Sequence, residues 1–365
     1  MSDRPGQVYP AQYEAQLTDK INQLRMAFEP VYTGAIDVYA SPDAHFRMRA
    51  EFRVWHEGER SYFAMFDPEN PRDPIEVPDF PIGSETINRL MPLLMEAIHQ
   101  DSELRYRLFQ VEFLTTLSDE ALVTLVYHRK LDETWEQSAR DLAENLGIEL
   151  IGRSRKQRIV IGRDYVTECL VVNGQKFRYR QIENSFTQPN AQVCEKMLEW
   201  AIQQAEPLSG DLLELYCGLG TFTIPLSYQF DRVLATEISK TSVRAAEHNL
   251  GLNGIENVVI GRMSAEDFSV GWRTGEGRRI KEYQLDRYQF STVFVDPPRS
   301  GLDDDTVELV REFDHILYIS CNPETLLANI QALQSTHEVK RMALFDQFPY
   351  SHHREAGALL TRRPG

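Results

Sequence analysis

The chain contains few cysteines for its length. Its 365 residues include four, Cys169, Cys194, Cys217 and Cys321, and no two of them form a short spaced pair. Structural zinc and iron–sulfur sites use closely spaced cysteines, and small secreted domains use many. We therefore expect neither a disulfide framework nor a metal centre.

Long apolar runs are also lacking. No segment approaches the roughly 20 apolar residues that a membrane-spanning helix needs, and the first residues lack the apolar stretch of a signal peptide. We expect a cytoplasmic protein without a membrane partner. The hydrophobic content of 42% is sufficient for folding, and 365 residues exceed what one core usually covers, so two domains are expected.

Positive charge is in deficit, with 39 basic against 55 acidic residues and a formal net charge of −16. A surface that binds phosphates is usually basic, so any contact with RNA must be local. Two groups of cations are candidates, and a solvated strand face is the competing interpretation of each. The groups are Arg47, Arg49 and Arg53, and Arg153, Arg155, Lys156 and Arg158.

The pattern of apolar residues changes near residue 180. Before it, strands are predicted over 46–55, 109–117 and 122–127, with helices over 85–99 and 133–146, which indicates an α+β domain over residues 1–180. After a predicted helix over 191–205, strands over 212–216, 233–236, 258–260, 292–295 and 316–319 are interspersed with helices. This βαβ order predicts a doubly wound α/β domain over 181–365, with a terminal antiparallel pair at 342–345 and 358–361.

The first of these strands leads into a turn that contains Gly218 and Gly220. Glycines let the backbone approach a ligand closely, at the strand end where doubly wound sheets bind nucleotides. Glu237 ends the next strand, where a carboxylate can accept both hydrogen bonds of a ribose diol. Phe222 replaces the third glycine of the dinucleotide fingerprint, which favours an adenosyl ligand without phosphates, such as S-adenosylmethionine. An ordinary strand-to-helix turn with a surface glutamate is the alternative.

The segment Asp296-Pro297-Pro298 follows the fourth of these strands. Two prolines stiffen the backbone, so the loop presents Asp296 in a fixed position. Similar loops hold target amino groups in methyltransferases of adenine, but Arg299 stands where those enzymes usually carry an aromatic residue. Amino-group methylation is therefore disfavoured, and a tight turn without chemistry is the alternative.

Cys321 lies on the same strand edge, after the fifth strand. It is a lone loop thiol near a helix start, where its pKa can fall below the usual value of about 8.5. The other three cysteines are expected to be buried packing residues. With the late carboxylate Glu355, this thiol provides what a nucleophilic attack on a flat heterocycle requires.

Five segments carry a resemblance to a known family: 46–53 (FRMRAEFR), 183–190 (ENSFTQPN), 296–302 (DPPRSGL), 320–324 (SCNPE) and 346–355 (DQFPYSHHRE). The chain resembles the S-adenosylmethionine-dependent RNA 5-methyluridine methyltransferases, and among them those that act on the T-loop of tRNA. The resemblance implies a class I, Rossmann-like methyltransferase domain after an α+β RNA-binding domain.

The resemblance also implies roles for individual residues. Cys321 matches the nucleophile that adds to C6 of uracil, and Glu355 matches the base that removes the C5 proton. Arg299 lies in the catalytic loop and is expected to stabilise charge on the uracil carbonyl. The expected cofactor-binding residues are Gln188, Tyr216, Gly218, Gly220, Thr221, Glu237 and Asp296, with Thr221 standing where relatives often carry asparagine.

Within the family, relatives that act on ribosomal RNA commonly carry a four-cysteine iron–sulfur motif and a TRAM segment, and neither is evident here. The expected reaction is therefore methylation of C5 of uridine 54 in the tRNA T-loop, with the equivalent loop of transfer-messenger RNA (tmRNA) as a second candidate. Arg49, Phe109 and Phe186 are expected to contact the RNA, whose target base must leave its stack.

Other functions remain open at this point. A 5-methyluridine methyltransferase of ribosomal RNA would use the same residues, and a tRNA-binding folding factor would need catalysis only secondarily. A 5-methylcytosine enzyme generally pairs two loop cysteines, which the Asp-Pro-Pro loop does not provide. An amino-group methyltransferase would leave Cys321 and Glu355 without a role.

Overall fold

The structure is a computed structural model, and it describes residues 6–67, 70–276 and 278–364. The chain forms two compact units. The first comprises the described residues up to Pro10, Pro42–Cys169 and Arg180–Ala191, and the second comprises Ala11–Ser41, Leu170–Tyr179 and the residues from Gln192 onward. The assignment of RNA binding to residues 1–180 and of methyl transfer to 181–365 stays a prediction.

The helices and strands follow each other as expected for two mixed α/β units. The helices are α1 (Tyr13–Phe28), α2 (Glu85–Gln100), α3 (Ser102–Arg105), α4 (Glu133–Leu146), α5 (Ala191–Ala205), α6 (Thr223–Leu226), α7 (Lys240–Leu252), α8 (Ala265–Thr274), α9 (Arg278–Glu282), α10 (Asp304–Val310) and α11 (Pro323–Leu333). The strands are β1 (Ile36–Tyr39), β2 (Arg49–Glu57), β3 (Arg60–Asp67), β4 (Asn70–Glu76), β5 (Leu108–Thr115), β6 (Ala121–Tyr127), β7 (Glu149–Ser154), β8 (Gln157–Ile161), β9 (Tyr165–Val172), β10 (Gln175–Ile182), β11 (Asp211–Leu215), β12 (Val233–Thr236), β13 (Val258–Gly261), β14 (Phe290–Val295), β15 (His315–Ser320), β16 (His337–Phe345) and β17 (Glu355–Arg362).

The first unit is built on a seven-stranded sheet with the order β4-β3-β2-β5-β6-β7-β8. Its neighbours pair antiparallel except β6 and β7, which α4 connects in parallel. Alternation along β2 buries Ala50, Phe52 and Val54 in a core shared with α2 and α4. The predicted helices at 85–99 and 133–146 are confirmed. A Cβ on Gly152 would lie only 2.1 Å from Trp135, so glycine permits the close packing of α4 on β7.

The second unit contains an eight-stranded sheet with the order β1-β16-β17-β15-β14-β11-β12-β13. β17 runs antiparallel to both of its neighbours, and the other described pairs of neighbouring strands are parallel. The doubly wound order and the terminal antiparallel pair, β16 with β17, are therefore confirmed. β1, from the N-terminal part of the chain, adds an unpredicted strand to this sheet by pairing parallel with β16.

Strand register aligns several functional candidates at one edge of this sheet. Leu215, the last residue of β11, pairs with both Thr236 of β12 and Val295 of β14. The chain continues from β11 to one side through β12 and β13, and later to the other side through β14 and β15. The residues after these strands therefore surround a topological switch point, where such sheets bind ligands.

Among the described residues, none of the helices has both the length and the apolar character needed to cross a bilayer.

Candidate active site

The turn after β11 is held in shape by hydrogen bonds to its backbone. The Asn249 side-chain amide donates to Leu219 O at 3.0 Å, and the Tyr179 hydroxyl donates to Thr221 O at 3.0 Å. Gly218 and Gly220 have φ of 56° and 87°, and Tyr216 has φ of 63°, which is uncommon for a bulky residue. Such backbone strain is typical of functional sites.

Glu237 connects this turn to the end of β12. Its Oε2 accepts a hydrogen bond from Gly218 N at 3.1 Å, and its Oε1 accepts one from Ser239 N at 2.7 Å. Each carboxylate oxygen can accept a second hydrogen bond, which leaves two acceptors for a diol. Ile238 beside it is 65% exposed and presents an apolar surface.

These residues fit the adenosyl and amino acid groups of S-adenosylmethionine. Open space lies where Gly218 would carry a Cβ, so a ligand can approach its backbone. Burial raises the pKa of Glu214, which lies near the end of β11, to about 8, and a hydrogen bond with Thr223 opposes that shift.

The Asp-Pro-Pro loop is fixed by Asn329 of α11. The Asn329 side chain accepts from Leu302 N at 2.9 Å and donates to Leu302 O at 3.1 Å. Gly301 adopts φ of 76°, and a Cβ there would lie 2.8 Å from Asn329 Oδ1, so this close contact requires glycine. Burial raises the pKa of Asp296 to about 7.

The Cys321 turn is linked to the same loop by Asn322. Asn322 Nδ2 donates to Arg299 O at 2.9 Å, while Asn322 Oδ1 accepts from Glu324 N and begins α11. Ser320 Oγ accepts from Asn322 N at 3.1 Å, which fixes the backbone on both sides of Cys321. The half-buried thiol therefore sits on a rigid turn.

The expectation of a lowered thiol pKa is wrong. Burial raises the pKa of Cys321, the negative charges of Glu355 and Asp296 raise it further, and Arg299 opposes them. The helix start at α11 is outweighed because burial and two nearby carboxylates all disfavour the thiolate.

Glu355 faces the Cys321 turn across two neighbouring strands. Ser320 of β15 pairs with Ala356 of β17, so the residues on either side of this pair, Cys321 and Glu355, lie at the same edge. Glu355 is 3% exposed. Its pKa lies well above the ordinary carboxylate range because of burial first and the charge of Asp296 second, with Arg299 opposing them.

Arg299 also contacts a histidine that sequence analysis did not assign. Arg299 Nη2 lies 3.1 Å from His353 Nδ1. Burial and the neighbouring charges of His352 and Arg299 lower the pKa of His353, so its neutral ring can accept a hydrogen bond from the guanidinium. His353 therefore helps to orient Arg299.

The segment 346–354, called the catalytic-base loop below, is anchored by α1. Lys20 Nζ lies 2.7 Å from Asp346 Oδ1 and donates to Phe348 O at 2.8 Å, and Gln16 Nε2 donates to Asp346 Oδ2 at 2.9 Å. Lys20 lies in the same helical stripe as the buried Leu17 and Leu24. The position of this lysine within an apolar stripe is the feature of the sequence that could have predicted a buried ion pair.

The predicted site residues fall in both units. The second unit brings together Tyr216, Gly218, Gly220, Thr221, Glu237, Asp296, Arg299, Cys321 and Glu355. The first unit contains Gln188 and the expected RNA contacts Arg49, Phe109 and Phe186. The cysteines Cys194 and Cys217 are buried as expected, whereas Cys169 is half-buried.

The residues of the first unit differ in their surroundings. Phe186 is 72% exposed, which leaves its ring accessible. Arg49 lines a cavity of about 190 Å³ together with Glu112 and Glu183, and burial lowers its pKa. Gln188 is half-buried in the same unit.

Comparison with known proteins gives a consistent result. A family model described as tRNA (Uracil-5-)-methyltransferase matches residues 12–363. A tRNA/tmRNA (uracil-C(5))-methyltransferase of Aromatoleum aromaticum is 56% identical over 357 residues, which cover 98% of this chain and 97% of the relative. A protein of the same description from Saccharophagus degradans is 52% identical over 365 residues, which cover 100% of this chain and 100% of the relative.

A solved structure shares the fold. The Pyrococcus abyssi tRNA (uracil-54, C5)-methyltransferase in complex with S-adenosyl-L-homocysteine matches with a TM-score of 0.73 and 20% identity, covering 96% of this chain and 83% of that one. With the family model and the relatives, this agreement shows that the chain belongs to the tRNA (uracil-5-)-methyltransferase family.

Proposed function

We propose that this protein methylates C5 of a uridine in the T-loop of tRNA, at conventional position 54, and the equivalent uridine of tmRNA. The observation that carries the proposal is the placement of Cys321 and Glu355 at one edge of the β15–β17 pair, in the unit that also contains Glu237 and Asp296. A thiol and a carboxyl at the same edge match a reaction in which one group attacks a pyrimidine ring and the other removes a proton.

The first step belongs to Cys321. The thiol loses its proton to solvent, and its sulfur adds to C6 of the uracil, so that the electrons of the C5–C6 double bond move toward C5 and the O4 carbonyl. Arg299, which also lowers the pKa of the thiol, would stabilise the negative charge on the ring. S-adenosylmethionine, when bound, supplies the methyl group that C5 then takes up.

The final step belongs to Glu355. Its carboxylate removes the C5 proton, the electrons of the C5–H bond re-form the C5–C6 double bond, and the thiolate of Cys321 leaves. A carboxylate with a raised pKa is a stronger acceptor for a carbon-bound proton than an ordinary carboxylate. Burial and the charge of Asp296 give Glu355 that raised pKa.

Further assignments belong to this proposal. Glu237 would hold the ribose, while Tyr216, Asp296 and Thr221 would complete the cofactor site with the glycines of the turn. Arg49 and Phe186, which both belong to the first unit, would contact the RNA. The reaction would take place in the cytoplasm, where tRNA is available.

The test uses T-arm RNA that carries 5-fluorouridine at the target position. Fluorine cannot leave as a cation, so the reaction should stop after methyl transfer with the RNA attached to the protein. The expected result is a complex that survives denaturing electrophoresis with the wild type and is absent with Cys321→Ala. Methylation of ordinary tRNA without such a complex would contradict the proposed chemistry.

A further inference from the structure

A groove rich in positive charge lies in the first unit and includes Arg153, Arg155 and Lys156 of the second candidate group of cations. It has a volume of about 900 Å³ and is formed by the end of β6, the residues after it and the β7–β8 hairpin. The described residues that line this basic groove include no acidic side chain, although the chain carries a formal charge of −16. Its cations are His128 when protonated, Arg129, Lys130, Arg153, Arg155 and Lys156.

The ion pairs separate these cations into two kinds. Arg153 pairs with Glu183, and Arg129 lies 2.9 Å from Glu103 Oε2. Lys130, Arg155 and Lys156 are exposed, and no acidic group among the described residues lies within ion-pair distance of them. Three charges in the groove therefore remain available to an external anion.

The walls of the groove are rigid. Gln157 accepts from Leu131 N at 3.0 Å and donates to Leu131 O at 3.1 Å, which ties the segment after β6 to the hairpin. Arg129 donates to the backbone carbonyls of Glu103 and Tyr106 and thereby fixes the chain next to Lys130. Arg155 and Lys156 form the tight turn between β7 and β8. Preorganised charges lose little entropy on binding.

The basic groove continues into a row of stacked planar side chains. The Arg53 guanidinium carbon lies 3.4 Å from the centre of the Phe109 ring, and the His128 ring stacks on Phe109 with centroids 4.0 Å apart. His128 belongs both to this row and to the groove wall. With partners at these distances the Phe109 ring has little free face, so a base would stack on the outer members of the row.

We propose that the basic groove binds the sugar-phosphate backbone of the substrate RNA outside the loop that carries the target uridine, through Lys130, Arg155 and Lys156. This inference rests on the proposed function. Exposed ammonium and guanidinium groups suit phosphates, because such contacts position an RNA without reading its bases. The adjoining planar row suits bases of a neighbouring unpaired segment.

The test compares two triple variants that remove the same charge. The groove variant is Lys130→Gln, Arg155→Gln and Lys156→Gln, and the control variant is Arg25→Gln, Lys281→Gln and Arg287→Gln, which lie on exposed parts of the second unit. For each, the dissociation constant for full-length tRNA is measured from 50 to 200 mM salt. Steady-state methylation and the thermal unfolding midpoint are measured alongside.

The groove variant should bind tRNA more weakly and with less dependence on salt. The loss of three phosphate contacts should lower the salt slope by about 2.1 to 2.7. The loss of affinity between 50 and 200 mM salt should therefore be roughly 20- to 40-fold smaller than in the wild type. The control variant should follow the wild type. At saturating RNA, the groove variant should retain its kcat and its KM for S-adenosylmethionine.

Two outcomes would overturn the inference. If the groove variant binds tRNA with the wild-type affinity and salt slope, the groove does not bind the RNA, and an acidic protein becomes the candidate partner. A loss of kcat without a change in RNA affinity would show that the groove acts on the catalytic unit instead. The 5-fluorouridine complex, measured at saturating RNA, distinguishes these outcomes from a failure of the proposed function. If the proposed function is wrong, the wild type will not form this complex either.

Discussion

Removing the Asp346 carboxylate alone should destabilise the protein more than removing both members of its ion pair with Lys20. The two side chains are 0% and 5% exposed, so Asp346→Leu leaves an ammonium group in a buried setting with the Phe348 carbonyl as a partner. Breaking a buried pair from one side typically costs about 3–5 kcal/mol, whereas replacing both members with apolar residues is often close to neutral. The double variant Lys20→Met/Asp346→Leu should therefore recover most of the loss.

The pH dependence of Asp346→Leu provides a second signature. Burial already lowers the pKa of Lys20, and Asp346 opposes that shift, so the variant lowers this pKa further. At pH values between the pKa of Lys20 in the folded variant and its pKa in the unfolded chain, the unfolded chain binds more protons than the folded protein. The stability of the variant should therefore rise with pH toward 10 relative to the wild type.

The assay is urea unfolding at pH 7 and pH 9, followed by tryptophan fluorescence and by residual methylation activity. Lys20→Met alone serves as the partner for a double-mutant cycle, whose coupling energy should be about 2 kcal/mol or more. Equal losses in Asp346→Leu and in the double variant, together with no effect of pH, would show that an unpaired lysine charge is not the source of the instability.

Three further predictions concern the chemistry of the site. Glu237→Gln should weaken S-adenosylmethionine binding about 10- to 100-fold in calorimetry, since hydrogen bonds to a charged group contribute about 1.5–3 kcal/mol; unchanged affinity would remove Glu237 from the cofactor site. Glu355→Gln should accumulate a covalent complex with ordinary uridine-containing T-arm RNA on denaturing gels, and normal turnover would contradict its role as the base. Single-turnover methylation should increase with pH and continue to increase above about pH 8, because the raised pKa of Cys321 means that the thiol loses its proton above its ordinary range, and a flat profile would refute this.

The sequence was sufficient to predict the edge of the sheet on which the site lies. Strands, glycine turns and the Asp-Pro-Pro loop are encoded by short-range patterns, and parallel strands bring their carboxyl ends to one edge wherever they pair. Tyr216, Glu237, Asp296 and Cys321 therefore follow strand ends as expected. The roles proposed for these residues stay predictions.

Contacts between distant segments were beyond such patterns. Lys20 meets Asp346 across 326 positions of the chain, and the N-terminal residues Ile36–Tyr39 add a strand beside β16, which depends on tertiary packing alone. The raised pKa of Cys321 also depends on tertiary packing, because burial of the thiol is its first cause and the charges of Glu355 and Asp296 add to it. The helix start near Cys321 was visible in the local sequence, whereas the burial and the two charges that outweigh it depend on the fold.

The antiparallel insertion of β17 beside β15 has a consequence for how the protein could lose activity. Cys321 and Glu355 adjoin residues of an eight-stranded sheet whose paired strands lie well inside the unit, with Ser320 and Ala356 both buried. Fraying of loops or chain ends cannot separate the two groups, since their spacing is set by backbone pairing. Inactivation by heat should therefore follow cooperative melting of the whole unit, and amide exchange at these two strands should be among its slowest.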